Sequence, residues 1–114
     1  MAIDLPENEY YPIGSVSDLP AGERLFLEII GEQIVLFNVG GSFYALRDSC
    51  THDQGPLGDG DLEGYEIVCP RHGARFDIRT GKALCLPAVV ETPAYPVRVI
   101  SEVIQIGIPK KSES

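Results

Sequence analysis

The apolar residues of this chain fall in short runs broken by glycine. Arg24 to Ile30, Gln33 to Val39 and Ser42 to Leu46 are rich in Ile, Val, Leu and Phe, and the pairs Gly31-Glu32 and Gly40-Gly41 between them suit tight hairpins. Three consecutive antiparallel strands are predicted. Tyr95 to Ile100 and Val103 to Ile108 form a second group, in which Ile104, Ile106 and Ile108 alternate as a half-buried strand requires. No stretch beyond about ten residues keeps a helical period free of Gly or Pro. Leu84 to Glu91 is at most a turn or a short helix. The predicted fold class is all-β, with antiparallel strands.

Between the two β-rich halves lies residues 49–82, SCTHDQGPLGDGDLEGYEIVCPRHGARFDIRTGK, which interrupts the framework as an insert with a small strand of its own at Tyr65 to Val68. It holds both histidines and two of the three cysteines of the chain. Cys50 and His52 form C-x-H, sixteen residues follow, and Cys69 and His72 form C-x-x-H. Each loop thus offers one thiolate and one imidazole, a donor set that selects iron-sulfur clusters or zinc over hard cations. Structural zinc sites usually pair two cysteines two to four residues apart and then two histidines, which the mixed C-x-H pair fits poorly. A 2Fe-2S cluster with two cysteines on one iron and two histidines on the other needs one ligand for each iron from each loop, and the mixed pairs deliver this. Buried cysteines and ordinary histidines are the plain alternative, set against the co-occurrence of all four in two Gly/Pro-rich loops. Cys85 has no such company and is expected to be an inert core thiol, the other reading being a place near the cluster.

Composition narrows the function. With 114 residues, 44% hydrophobic and 23% charged, the chain is expected to form one domain over residues 1–114, with a cluster-binding subdomain at about 47–83 and a disordered tail at about 109–114. No run approaches a membrane span and the N-terminus lacks the features of a signal peptide, so a cytoplasmic location is expected. An odd cysteine count in a reducing compartment favours thiolate ligation over disulfides. The net charge of −8 disfavours nucleic acid and anionic membranes as partners. Asp48, Asp53, Asp59, Asp61, Glu63 and Glu66 crowd the first half of the insert, and Arg71, Arg75, Arg79 and Lys82 the second. Such halves either offset each other as solvated loops or form a docking surface.

CTHDQGPL followed by CPRHGARFDIRTGKAL resembles the ligand motif of Rieske proteins, and in particular of the small soluble Rieske-type ferredoxins. The resemblance covers nearly the whole chain and implies a β-sandwich with the cluster loops inserted in its middle. It further implies that Cys50 and Cys69 bind the inner iron of one 2Fe-2S cluster and that His52 and His72 bind the outer iron. The loop around Leu86-Pro87-Ala88 stands where the family has a proline-containing loop over the cluster. Gly55, Gly58, Gly60 and Gly73 let backbone N–H groups approach the sulfurs, Pro56, Pro70 and Pro87 stiffen the walls, and Leu57 and Phe76 are expected to pack beneath. DIRTG is expected to be a turn closing the second loop.

Relative to quinol-oxidising members of the family, Gln54 and Arg71 stand where two disulfide-forming cysteines would be, Ala74 replaces a serine and Phe76 a tyrosine. Loss of two hydroxyl donors removes stabilisation of the more negative, reduced cluster and lowers its potential. The resemblance implies a soluble electron carrier, monomeric when free, that passes single electrons from a reductase to an oxygenase-type enzyme. Alternatives are the small subunit of an assimilatory nitrite reductase, or an accessory module in cluster assembly or redox sensing. No substrate chemistry is expected of the chain itself, because both histidines are already used and none is left to bind a mononuclear iron or to activate a nucleophile.

Reduction should make the distal nitrogens of His52 and His72 more basic. Rieske centres as a class span roughly −150 to +300 mV. An EPR-monitored titration repeated over alkaline pH is predicted to give a midpoint near the bottom of that range which falls as pH rises. A midpoint well above zero, or one independent of pH, would count against these readings.

Overall fold

The computed structural model describes residues 8–48, 58–69, 73–85 and 92–109. Eleven strands are present among these residues, with a single 3-10 turn at Val16–Asp18. They form three antiparallel sheets. In the first, β1 (Asn8–Ser15), β11 (Val103–Pro109) and β10 (Val97–Ile100) lie in that order. The second has the order β2 (Arg24–Ile29), β3 (Glu32–Val39), β4 (Ser42–Arg47) and β9 (Ala94–Tyr95). The third, built from the insert, runs β5 (Leu62–Glu63), β6 (Glu66–Val68), β7 (Arg75–Asp77) and β8 (Ala83–Cys85). The all-β expectation holds. Among the described residues no helix is long and apolar enough to cross a membrane.

β3 joins the layers. Its run Ile34-Val35-Leu36-Phe37 is apolar at consecutive positions because both faces are covered, and the twofold alternation of a strand divides the run between two cores. Ile34 and Leu36 pack with Ile29, Ala45, Tyr95, Ile104, Ile106 and Ile108 between the first two sheets. Val35 and Phe37 pack with Leu46, Ile67, Cys69, Ala74, Phe76 and Ile78 beneath the third. Asn38, the buried polar residue that ends the run, is satisfied: its Nδ2 donates to the Leu19 carbonyl at 2.7 Å and its Oδ1 accepts from Gly41 N–H at 2.8 Å.

The first hairpin turn is Ile30-Gly31, one residue earlier than the predicted Gly31-Glu32, because Glu32 already pairs with Ile29. Gly31 takes the second left-handed position (φ +85°) and Ile30 is forced into the first (φ +41°), which leaves its side chain 66% exposed. Gly40-Gly41 forms the second hairpin turn as expected. Pro96 splits the predicted strand Tyr95 to Ile100: Tyr95 pairs with Ala45 in the second sheet, whereas Val97–Ile100 pairs with β11 in the first. β1 was not evident from the sequence because Pro12 and Gly14 interrupt it. It is an edge strand with a register shift between those residues, a place where proline is tolerated.

The predicted small strand Tyr65 to Val68 is β6, and its sheet contains three further strands, β5, β7 and β8, that the sequence pattern did not reveal. Leu84 and Cys85 are in β8, not a turn or short helix, and the remainder of that segment, residues 86–91, lies outside the described residues. DIRTG does form a turn, but it closes the β7–β8 hairpin, with Gly81 N–H donating to the Asp77 carbonyl at 2.6 Å. Pro109, placed in the expected tail, is the last residue of β11 and pairs with Asn8; residues 110–114 lie outside the described residues.

Candidate metal centre

Of the four candidate ligands, Cys69 is described; Cys50, His52 and His72 lie outside the described residues, as do Gly55, Pro56, Leu57, Pro70 and Pro87. Cys69 follows β6, is 1% exposed and is a free thiol. It belongs to the same apolar core as Ala74 and Phe76, so neither of those positions supplies a hydroxyl donor to the sulfur. Phe76 packs beneath the site as expected. The side chain of Cys85 lies outside the described residues.

Three loop stems converge here, each fastened by hydrogen bonds. The C-x-x-H loop closes where Cys69 N–H donates to the Ala74 carbonyl at 2.6 Å and Gly73 N–H to the Cys69 carbonyl at 3.0 Å. Gly73 has φ +77°, which returns the chain after only three intervening residues at little steric cost. The C-x-H loop lies between Asp48 and Gly58, and the Asp48 carboxylate accepts the Gly58 N–H at 2.6 Å. Arg24 holds the far side of that stem, its Nη1 donating to the carbonyls of Gly58 and, at 2.8 Å, Gly60. Residues 86–91 are bounded by Cys85 and Thr92, and the buried Thr92 is tied to Gly81, its N–H donating to the Gly81 carbonyl at 2.8 Å.

An open cavity of about 380 Å³ is lined by Asp59, Gly60, Asp61, Val68, Cys69 and Gly73, so the residues that leave the first loop share a wall with those that enter the second. Val68 N–H donates to the Asp61 carbonyl at 2.9 Å and fixes this juxtaposition. The buried Cys69 thiol borders this cavity and is a soft sulfur donor of the kind that suits an iron-sulfur cluster.

The charges of the insert offset each other in part. Arg75 donates to Glu63 at 2.9 Å and Glu66 at 3.2 Å, and those hydrogen bonds, Glu63 first, hold its guanidinium above its ordinary value. Arg79 grips Asp77 with Nε and Nη2 at 3.0 and 2.9 Å, and this pairing holds the carboxyl below the usual carboxylate range. Arg79 also lies over the Tyr65 ring, 4.4 Å from its centroid. Asp59 and Asp61, exposed at the rim of the cavity, make no ion pair among the described residues.

The sequence matches the Rieske [2Fe-2S] domain over residues 9–96. The chain belongs to the Rieske family. It is 46% identical over 96 residues to the 3-phenylpropionate/cinnamic acid dioxygenase ferredoxin subunit of Escherichia coli (strain K12), covering 83% of this chain and 90% of that one. It is 43% identical over 84 residues to the ferredoxin component of naphthalene 1,2-dioxygenase/salicylate 5-hydroxylase systems of Ralstonia sp, covering 74% and 81%. Among solved structures, the ferredoxin of carbazole 1,9a-dioxygenase from Nocardioides aromaticivorans IC177 superposes with a TM-score of 0.79 at 32% identity, over 87% of this chain and 98% of that one. As a Rieske ferredoxin this protein is an electron carrier with one Rieske 2Fe-2S cluster, not an enzyme in its own right.

Arg24, Asp48, Gly81 and Thr92 were not singled out as parts of this Rieske site from the sequence. Asp48 could have been, since it directly precedes the ligand loop and Asp readily accepts nearby backbone N–H groups. Arg24 could not, because it reaches across 34 residues to Gly58.

Gly81 has φ +80°, and a Cβ there would overlap the Thr92 carbonyl oxygen; Gly64, at φ +64°, faces open space. G81A is therefore predicted to destabilise the protein by at least about 2 kcal/mol, a fall in melting temperature of roughly 8 °C or more, while G64A bears only the left-handed backbone cost of about 1–2 kcal/mol. Thermal unfolding of the two variants, with cluster absorbance recorded alongside, checks this; equal losses would show that the Gly81–Thr92 tie carries no special weight.

Proposed function

We propose that Cys50 and Cys69 hold one iron of the cluster and His52 and His72 the other, and that the chain passes single electrons from a reductase to a terminal oxygenase in the cytoplasm. The observation that carries the assignment is the buried Cys69 thiol beside a cavity that is also lined by Asp59, Gly60 and Asp61, the residues that leave the Cys50–His52 loop. When bound, the cluster accepts and releases one electron. Two thiolates and two neutral imidazoles leave its oxidised form formally neutral, so reduction adds a single net negative charge.

The stems around it are fastened by hydrogen bonds, and the apolar packing of Ala74, Phe76 and Ile78 beneath Cys69 excludes water from the inner side. The oxygenase partner is supported by a structural relative from the complex of reduced oxygenase and oxidised ferredoxin in carbazole 1,9a-dioxygenase, which matches at a TM-score of 0.81 and 30% identity over 91% of this chain. Relatives of that kind favour the oxygenase carrier over a nitrite reductase subunit or an accessory module. With a net charge of −8 and Asp59 and Asp61 at the cavity rim, the carrier suits a partner face of positive potential.

H72A is predicted to lose the Rieske absorption and EPR spectra, and C85A to keep them. An unchanged H72A spectrum, or loss of the cluster from C85A, would refute the ligand set.

A further inference from the structure

Gly58 is held from three directions. A Cβ on it would collide with the Phe26 ring and the Val35 side chain, its N–H is taken by Asp48, and its carbonyl by Arg24. Both gripping residues are themselves anchored: the Asp48 backbone N–H donates to the Gln33 carbonyl at 2.8 Å, and the Arg24 guanidinium lies 5.2 Å from the ring centroid of Phe37, its cross-strand partner in β3. Phe37 packs in the same core as Cys69, and Gly60, the second carbonyl held by Arg24, lines the cavity in front of it.

Arg24, like Arg98, is in no ion pair among the described residues, but Arg98 donates to Gln105 and lies over Tyr10, outside the core that holds Cys69. Arg47 is paired with Glu32, Arg75 with Glu63 and Glu66, and Arg79 with Asp77. Arg24 meets only carbonyl oxygens and an aromatic face among the described residues. Its Nη1 is spent on two carbonyls and its charge is in no direct ion pair among the described residues, beside a loop whose cofactor gains a negative charge on reduction.

We propose that Arg24 and Asp48 are a pair of positioning residues that fasten the Cys50–His52 loop at Gly58 and bias the reduction potential in opposite directions, Arg24 upward and Asp48 downward. This rests on the ligand assignment above. The guanidinium stabilises the extra electron and the carboxylate opposes it, so the same grip that fixes the loop trims the potential.

The test is an EPR-monitored redox titration of the holoprotein, R24Q and D48N, with thermal unfolding of each. D48N is isosteric and keeps an oxygen to accept the Gly58 N–H, so it removes charge with little change in shape. R24Q is expected to lower the equilibrium constant for reduction, and D48N to raise it, each by on the order of three- to tenfold. A purely structural role would lower the melting temperatures without shifts of opposite sign. If R24Q loses its cluster, D48N decides alone. Unchanged potentials, shifts of the same sign, or loss of the cluster from D48N overturn the proposal. Absence of a Rieske signal from the unmodified protein would instead overturn the ligand assignment.

Discussion

Everything in this molecule hangs on β3 being buried on both faces. A strand has only two sides, and Ile34 and Leu36 commit one of them to the sandwich while Val35 and Phe37 commit the other to the cluster-bearing sheet. The inserted sheet has short strands of two and three residues, too little to stand alone in water. It is stable because Ile67, Phe76 and Ile78 close against Val35, Phe37 and Leu46, and Cys69 is placed by the same packing. Stability and redox site therefore share one core.

From that core the ligand loops are governed by their ends. Each stem is tied by backbone or charge-assisted hydrogen bonds: Cys69 with Gly73 and Ala74, Gly58 with Asp48 and Arg24, Thr92 with Gly81. Fastening the ends of a loop lowers the entropy cost of closing it, which suits an electron carrier whose task is to change charge with little change in shape. Ala74 and Phe76, packed in the same core as Cys69, offer no hydroxyl donor to its sulfur.

The sequence disclosed the features that depend on local pattern. The strands β2 to β4, with Gly40-Gly41 between the last two, and the alternating isoleucines of β11 were legible from periodicity and turn chemistry. The Rieske family was legible because two Cys/His pairs in Gly/Pro-rich loops are chemically specific. What escaped was set by tertiary partners. β5, β7 and β8 are too short to carry a period, and β1 contains a proline that only an edge position accommodates. The turn at Ile30-Gly31 moved by one residue because cross-strand pairing outweighed the backbone cost at Ile30. Arg24 sits in β2 like any polar strand residue until the fold brings Gly58 to it.

Whether two imidazoles and two thiolates hold a single cluster is decided by pulsed EPR of the reduced protein prepared with ¹⁵N-labelled histidine. Couplings to two histidine nitrogens are expected, one each from His52 and His72. Coupling to one nitrogen or to none would mean a different ligand set.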